Sequence, residues 1–282
     1  MILSGKARLA GVLGWPIGHS LSPRLHGYWL RHYGIDGAYL PLGAPEAALE
    51  RVVRALADLG FRGFNVTLPH KESLLALCDE VTPQARRIGA VNTVVIDGGR
   101  LQGDNSDAFG FAGCLRDAAP GWQPAAGPAV VLGAGGAARA VIVALQDLGV
   151  PEIRLANRTE ARAAELAEAL AAPGVAPIRA LPWAERCDGL EGAGLLVNTT
   201  TLGMSEQPPL DLALDALPGG ALVTDVVYVP LETPLLAAAR ARGNPAVDGL
   251  GMLLHQARPG FEAWFGRAPE VTPELRAFLL GA

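Results

Sequence analysis

The sequence predicts an α/β protein made of two domains. Stretches with the hydrophobic pattern of strands alternate with stretches that have the pattern of helices along most of the chain. The length of 282 residues exceeds what one compact core usually organises. In addition, a segment rich in proline, glycine and alanine between Pro120 and Pro128 precedes a new apolar strand. We therefore expect a second α/β domain to begin near this segment.

Predicted strands and helices follow one another along the first half of the chain. Ser22 and Pro23 read as an N-cap followed by proline at the first helical position, so they open a helix. Apolar residues that recur with helical spacing from Leu49 predict a second helix, which ends before Gly60. The other predicted elements are strands over 8–13, 63–67 and 91–96 and a helix over 71–78.

The second half begins with the apolar strand 129–132, and helices separate the strands that follow. These later strands are predicted over 153–156, 195–198 and 221–227. The tail from Gly249 is helical, with predicted helices over 252–257, 261–265 and 273–280. Periodicity alone does not say which domain this tail joins.

Charge and composition favour a small-molecule ligand. Half of the residues are hydrophobic and 18% are charged, which is typical of an ordered globular protein. The net charge of −5 provides no basic surface for nucleic acid or for an anionic membrane. The long uncharged stretch 118–138 contains three prolines, so it does not predict a membrane span. We expect neither a nucleic-acid nor a membrane partner.

Cysteine usage and the start of the chain indicate the compartment. Cys78, Cys114 and Cys187 are widely spaced and odd in number, which predicts neither a disulfide framework nor a thiolate metal site. Lys6 and Arg8 interrupt any apolar run of signal length. We predict a cytoplasmic protein. The oligomeric state stays open, with a homodimer among the alternatives.

A glycine-rich turn follows the strand 129–132 and leads into a predicted helix. Its first glycine permits a tight turn, its second lets backbone amides approach a pyrophosphate, and the helix N-terminus adds partial positive charge. Ala138, at the third position of the motif, still permits close packing of helix and strand. The alternative is a glycine-rich turn that serves only the packing of the chain and binds no ligand. The strand and helix favour a dinucleotide site formed by Gly133, Ala134, Gly135, Gly136 and Ala137.

The end of the next strand indicates which dinucleotide binds. The strand 153–156 runs into Asn157, Arg158 and Thr159, and Arg162 follows. A carboxylate at this place would accept the ribose hydroxyls of NAD, whereas two guanidinium groups can bind the 2′-phosphate of NADP. We therefore predict NADP. In the alternative interpretation, Thr159 caps the helix and both arginines are solvated surface residues.

Six short motifs, taken together and in order, resemble the shikimate dehydrogenase family. The similarity extends from near residue 11 to past Gln256. The motifs are Gly18-His19-Ser20-Leu21-Ser22-Pro23, Asn65-Val66-Thr67-Leu68-Pro69-His70-Lys71, Gly89-Ala90-Val91-Asn92-Thr93, Gly103-Asp104-Asn105-Ser106-Asp107, Asn157-Arg158-Thr159 and Asp248-Gly249-Leu250-Gly251-Met252.

This resemblance implies an activity and an architecture. The activity is the reversible, NADP-dependent reduction of 3-dehydroshikimate to shikimate, a step in the biosynthesis of aromatic amino acids. The architecture is two α/β domains with a cleft between them. Residues 1–106 with 249–282 would form the substrate-binding domain, to which the C-terminal helices return, and 107–248 the Rossmann-type NADP-binding domain.

The resemblance also implies roles for individual residues. Lys71 and Asp107 match the catalytic pair of the family, with Lys71 as general acid and base. Substrate-binding positions match Ser20, Ser22, Thr67, Asn92, Tyr228 and Gln256. Cofactor-binding positions match Gly133 to Ala137, Asn157, Arg158, Thr159, Arg162, Val226 and Gly249. Two departures are small: Ser106 replaces the usual threonine, and Val226 stands where methionine is frequent.

A lysine suits this chemistry because one group must give a proton to the developing alkoxide and take it back in the reverse reaction. Considered singly, Lys71 could be a surface charge and Asp107 a first-turn acid that the helix dipole stabilises. The five histidines show no ligand spacing, so we predict no metal, and His70 is interpreted as structural.

Two other functions remain open at this stage. One is a quinate/shikimate dehydrogenase that uses NAD, since quinate adds only a hydroxyl. The other is a sensor that keeps the cofactor fold without turnover.

Overall fold

The computed structural model describes residues 2–281, which fold as two compact α/β units. The first unit runs to Ser106 and resumes at Leu253, and the second unit is Asp107–Met252. The second unit therefore ends at residue 252, and not at 248 as the family resemblance implies. No helix within residues 2–281 is long and apolar enough to cross a membrane. Each unit contains its own sheet, which confirms the predicted α/β class.

The first unit has a mixed sheet of six strands in the order β2-β1-β3-β5-β6-β4. The strands are β1 (Arg8–Gly14), β2 (Gly37–Gly43), β3 (Gly63–Val66), β4 (Glu80–Val81), β5 (Thr93–Asp97) and β6 (Arg100–Asp104). The helices are α1 (Ser22–His32), α2 (Leu49–Asp58), α3 (Pro83–Ile88), α9 (Pro273–Leu280) and most of α8 (Leu250–Phe265).

The strand directions bring several loops to one edge of this sheet. β1 and β3 run parallel, so both carboxyl ends lie at the same edge. β5 is antiparallel to both β3 and β6, so β5 begins at this edge and β6 ends there. The register places Asn65 opposite Thr93, and Thr93 opposite Asp104. We call this edge, with the loops that leave it, the polar edge of the first unit.

The second unit has six parallel strands in the order β12-β11-β10-β7-β8-β9. The strands are β7 (Ala129–Leu132), β8 (Ile153–Ala156), β9 (Ile178–Leu181), β10 (Leu195–Asn198), β11 (Leu222–Asp225) and β12 (Ala246–Val247). The helices are α4 (Asp107–Ala118), α5 (Gly136–Leu148), α6 (Glu160–Ala169) and α7 (Pro234–Ala241).

The order of these strands reverses beside β7. The chain proceeds outward from β7 to β9 and then places β10 on the other side of β7. Open parallel sheets bind ligands at such a reversal, beyond the carboxyl ends of the strands. The Rossmann-type prediction is therefore confirmed, and the glycine turn after β7 lies at the expected place.

Three local predictions were wrong. The helix predicted over 71–78 is a single 3₁₀ turn, Ser73–Ala76, because the Lys71 carbonyl accepts a hydrogen bond from Val91 N at 2.8 Å and so does not start a helix. Ser22 is the first residue of α1 and not its N-cap, which is Leu21.

The third wrong prediction is a break in the tail. The tail helices predicted over 252–257 and 261–265 form one continuous helix, α8, with Pro259 inside it. Proline removes one helical hydrogen bond, but Phe261, Trp264 and Phe265 are buried on this helix. Burial of these large rings outweighs the missing bond.

Candidate active site

The polar edge of the first unit brings together most of the predicted substrate-binding residues. Ser20 and Ser22 follow β1, Thr67 and Lys71 follow β3, and Asn92 precedes β5. Gln256, far along the chain in α8, joins them, because Asn92 Nδ2 donates a hydrogen bond to Gln256 Oε1 at 3.0 Å. Separate loops and helices therefore bring hydroxyl-, amide- and amine-bearing residues to one edge.

Hydrogen bonds fix the orientation of the Asn92 carboxamide. Asn92 Oδ1 accepts from Ser106 N at 2.8 Å and from Thr93 Oγ1 at 2.8 Å. Ser106 Oγ in turn donates to the Gln256 carbonyl at 2.8 Å. Since the oxygen side is held by these donors, Nδ2 faces Gln256 as the donor end of Asn92.

Three further residues, Tyr39, Asn65 and Thr93, belong to the same network, although sequence reasoning gave them no role. The Tyr39 hydroxyl donates to Asn65 Oδ1 at 2.6 Å, and Asn65 Nδ2 donates to Thr93 Oγ1 at 3.1 Å. Burial raises the pKa of Tyr39 well above its usual value, and a hydrogen bond from Ser22 opposes that rise. One signal was available for Asn65, a polar residue inside the otherwise apolar strand β3.

A glycine lets two loops of the polar edge approach each other. A Cβ at Gly14 would lie 2.4 Å from Thr67 Cγ2, which is too close for any other residue. Thr67 N donates to the Leu13 carbonyl at 2.9 Å, so the loop after β3 is held against β1.

Lys71 and His70 are neighbours with different surroundings. The half-buried Lys71 has its carbonyl bonded to Val91 N, next to Asn92. The ring of His70 is fully buried, and His70 Nε2 lies 2.8 Å from the Ala44 carbonyl. These contacts favour the structural interpretation of His70.

The glycine turn of the second unit has the geometry that a pyrophosphate needs. Gly133 adopts a φ of +108°, and a Cβ there would lie 2.6 Å from Thr199 Oγ1. Gly135 is the N-cap of α5, and no side chain caps this helix. A Cβ at Gly135 would have no neighbouring atom within 4 Å, which leaves room beside the helix N-terminus. The turn therefore fits a bound dinucleotide.

The residues that follow β8 fit the additional phosphate of NADP. Arg158 and Arg162 are both exposed, and within residues 2–281 neither guanidinium has a hydrogen-bond or ion-pair partner. Asn157 Nδ2 donates to the Thr159 carbonyl at 2.8 Å and shapes the turn. Thr159 occupies the N-cap position of α6, but its hydroxyl makes no capping bond. The alternative interpretation correctly places Thr159 at the start of α6 and both arginines at the surface, but it is wrong that the Thr159 side chain caps the helix.

Val226 and Gly249 lie against each other in the second unit. A Cβ at Gly249 would lie 2.4 Å from the Val226 carbonyl oxygen, so glycine is needed for this approach. Val226 N donates to the Asn198 carbonyl at 3.0 Å. Tyr228, two residues further on, is partly buried.

Asp107 is the first residue of α4, and only 4% of it is exposed. A carboxylate in the first turn interacts favourably with the helix dipole. This structural role is compatible with a catalytic one. Within residues 2–281, no group of three or more His, Cys, Asp or Glu side chains is arranged to hold a metal ion.

A buried carboxylate, Asp225, organises the end of β11. Asp225 Oδ1 accepts from Asn198 Nδ2 at 3.0 Å and from Val227 N at 3.0 Å, and Oδ2 accepts from Thr233 Oγ1 at 2.8 Å. Burial raises the pKa of this carboxyl above its usual value of 3.8, although the hydrogen bonds lower it. Burial therefore makes the charged carboxylate costly, and the three hydrogen bonds offset part of that cost.

We expect the stability of the protein to depend on pH through Asp225. Because the folded state binds this proton more tightly than the unfolded chain, the contribution of Asp225 falls as pH rises through the window above 3.8. Relative to Asp225→Asn, the free energy of unfolding of the wild type should decrease from about pH 4 to about pH 7 in urea titrations. A difference that stays constant over this range would contradict the assignment. Asp215→Asn, whose side chain is 95% exposed, is the matched control.

Comparisons with known proteins agree with this geometry. Three family models match the chain: the shikimate dehydrogenase substrate binding domain over residues 12–94, shikimate / quinate 5-dehydrogenase over 123–196, and the shikimate 5'-dehydrogenase C-terminal domain over 249–273. The shikimate dehydrogenase (NADP(+)) of Paramagnetospirillum magneticum is 63% identical over 279 residues, which is 99% of this chain and 100% of the relative. The chain belongs to the shikimate dehydrogenase family.

Solved structures of shikimate dehydrogenases and related enzymes have the same fold. Shikimate 5-dehydrogenase from Thermus thermophilus, solved with NADP(H) and shikimate, is 40% identical with a TM-score of 0.85, covering 96% of this chain and 98% of that one. Quinate dehydrogenase from Corynebacterium glutamicum, solved with NAD, is 34% identical with a TM-score of 0.89, covering 97% and 99%. The resemblance found in the sequence is therefore confirmed.

The family models also locate the shikimate dehydrogenase motifs on the two units. The substrate-binding model ends at residue 94, so it includes Ser20, Ser22, Thr67, Lys71 and Asn92. Gln256 lies within the C-terminal model, which begins at residue 249. The middle model contains the glycine turn and the arginines after β8.

Proposed function

We propose that this chain catalyses the reversible, NADP-dependent reduction of 3-dehydroshikimate to shikimate in aromatic amino acid biosynthesis. The observation that carries the proposal is the hydrogen bond between Asn92 and Gln256, which joins two distant predicted substrate residues at the polar edge. The same edge carries Ser22 and Lys71. Near full-length identity to NADP-dependent shikimate dehydrogenases supports it.

The polar edge suits a small polyhydroxylated carboxylate. The hydroxyls of Ser20 and Ser22 can donate to a carboxylate, and amide and hydroxyl groups at Asn92, Thr67 and Gln256 can bind ring hydroxyls. Tyr228 of the second unit is proposed as a further substrate contact. Because the amide of Asn92 is already oriented by neighbouring donors, little side-chain entropy is lost when substrate binds.

Lys71 is proposed to move the proton. In the reducing direction its ammonium group donates a proton to the oxygen that was the ketone, and in the oxidising direction the neutral amine accepts the proton of the same hydroxyl. Asp107 is proposed to stabilise the ammonium form and to accept a hydrogen bond from substrate. NADP, when bound, supplies or takes up the hydride.

The second unit is proposed to bind this cofactor. Gly133 to Ala137 would hold the pyrophosphate, and Asn157, Arg158, Thr159 and Arg162 the adenosine ribose with its 2′-phosphate. Val226 and Gly249 would contact the nicotinamide.

Arg158→Ala should change cofactor preference. Loss of a charge-assisted contact to the 2′-phosphate should raise KM for NADP⁺ about 10- to 100-fold, while KM for NAD⁺, which has no such phosphate, changes less than about 2-fold. Initial rates with shikimate and each cofactor measure both constants. Arg179→Ala, exposed on the neighbouring strand β9, is the control and should change neither. An equal rise in KM for both cofactors would show that Arg158 does not bind the 2′-phosphate.

A four-way turnover assay tests the proposed function. Purified protein is mixed with shikimate or quinate and with NADP⁺ or NAD⁺, and the appearance of reduced nicotinamide is recorded. Strong turnover confined to shikimate with NADP⁺ is expected. Equally efficient turnover with quinate or with NAD⁺ would favour a quinate/shikimate dehydrogenase. Cofactor binding without any turnover would favour a sensor that keeps the cofactor fold.

We further propose a cytoplasmic location for this enzyme. Cys78, Cys114 and Cys187 all carry free thiols, as expected in a reducing compartment. A homodimer remains one of the alternatives for the assembly, and light scattering of the purified protein decides between a monomer and a dimer.

A further inference from the structure

Tyr39 lies on the edge strand β2, and its ring is held rigidly. The ring of His26 stacks on that of Tyr39, with centroids 3.8 Å apart and planes 2° from parallel. The rings of Trp29 and Trp264 also pack against His26, with centroids 5.6 and 5.8 Å from it. Burial lowers the pKa of His26 to about 3, so this ring is uncharged under ordinary conditions. Because the Tyr39 ring is packed between these rings, its hydroxyl is held in one position.

From that place the Tyr39 hydroxyl contacts the polar edge. It donates a hydrogen bond to Asn65 Oδ1 of β3 at 2.6 Å. Asn65 Nδ2 donates to the Asn92 carbonyl and to Thr93 Oγ1, each at 3.1 Å. The Asn65 amide is therefore held at its oxygen end by Tyr39 and at its nitrogen end by residues 92 and 93.

The direction of donation continues to the substrate residues. Thr93 Oγ1 accepts from Asn65 and lies 3.2 Å from Ser106 Oγ, and it donates its own hydrogen to the nearer acceptor, Asn92 Oδ1, at 2.8 Å. Asn92 Nδ2 then donates to Gln256 Oε1. Every donor in the series points the same way, and bonds aligned in this manner strengthen one another.

We propose that Tyr39 is a positioning residue of the substrate site, which orients the Asn92 carboxamide through Asn65 and Thr93. The inference rests on the proposed function, because it concerns the substrate that these residues bind. Without the Tyr39 hydroxyl, Asn65 Oδ1 loses the donor that holds it, while Asn65 Nδ2 still donates to the Asn92 carbonyl and to Thr93 Oγ1. The amide that contacts both Thr93 and Asn92 is then held from one end only.

Tyr39→Phe keeps the buried ring and removes only the hydroxyl. We expect KM for shikimate to rise about 5- to 20-fold, with kcat within about 2-fold and KM for NADP⁺ unchanged. Tyr28→Phe, in α1 of the same unit and outside the network, is the matched control and should leave all three constants unchanged. Unchanged KM for shikimate in Tyr39→Phe, or a loss confined to kcat, would overturn the proposal.

A double-mutant cycle with Thr93→Val tests whether Tyr39 acts on Asn92 through Thr93. Valine has the shape of threonine without the hydroxyl that links Asn65 to Asn92. Both single variants should raise KM for shikimate, and the double variant should raise it little further. If the two fold-changes in KM multiplied in the double variant, Tyr39 would not act through Thr93 and the proposal would be overturned. If Tyr39→Phe fails to fold, Thr93→Val alone must show the 5- to 20-fold rise, at about the size expected for one lost bond.

Calorimetric titration of shikimate separates this inference from the proposed function. A wild type that binds shikimate without turning it over would end the proposed activity, while affinities of the same variants would still test Tyr39. A wild type that neither binds nor oxidises shikimate would overturn both.

Discussion

Replacing Lys71 by alanine should lower kcat for shikimate oxidation about 10²- to 10⁴-fold, which is the usual contribution of a positioned general acid or base. NADP⁺ should still bind, because the residues proposed to hold the cofactor lie in the other unit of the chain. Initial rates give kcat, and titration of protein fluorescence with NADPH gives the cofactor affinity. Added ethylamine should partly restore turnover, since a free amine can replace the missing one.

The sequence offers a precise control for this experiment. Lysine occurs at only two positions, 6 and 71, and Lys6 is exposed. Lys6→Ala should have the kcat of the wild type. In a Lys6→Arg background Lys71 is the single lysine, so isotope-labelled methylation reports its ionisation directly. Undiminished turnover in Lys71→Ala would remove Lys71 from the mechanism.

Asp107→Asn should lower kcat about 10²-fold, because the amide has the shape of the carboxylate but cannot balance an ammonium charge. Loss of the helix-dipole interaction at this buried position should cost up to about 2 kcal/mol of stability. Asp117→Asn, on the last turn of α4, is the matched control and should leave kcat unchanged.

The double variant decides whether Lys71 and Asp107 act as a pair. Groups that work as a unit are strongly non-additive, so Lys71→Ala with Asp107→Asn should be no slower than Lys71→Ala alone. If the two losses multiplied, each residue would be acting independently and the proposed pair would be wrong.

Much of the fold was predictable because its signals are local. The strand β7, the glycine turn and α5 are contiguous, and each element carries its own pattern, so their arrangement could be read along the chain. The periodicity of α2 is equally local. The edge strand β2 was missed because Pro41 and exposed Leu40 interrupt its hydrophobic pattern.

The parts that could not be predicted depend on contacts between distant residues. Helix α8 passes through Pro259 because the rings beyond it are buried against the first unit's sheet, where Trp264 Nε1 donates to the Val94 carbonyl. The role of Tyr39 depends on Asn65, which lies 26 residues away. No pattern within one element indicates either contact.

Reduction of 3-dehydroshikimate by NADPH tests the central claim most directly. The protein is mixed with both compounds, the loss of NADPH absorbance is followed, and the product is identified by chromatography against authentic shikimate. We expect NADPH consumption and shikimate formation in equal amounts, with far slower consumption of NADH. Undiminished NADPH in the presence of a correctly folded protein that binds it would contradict the assignment of this chain as an NADP-dependent shikimate dehydrogenase.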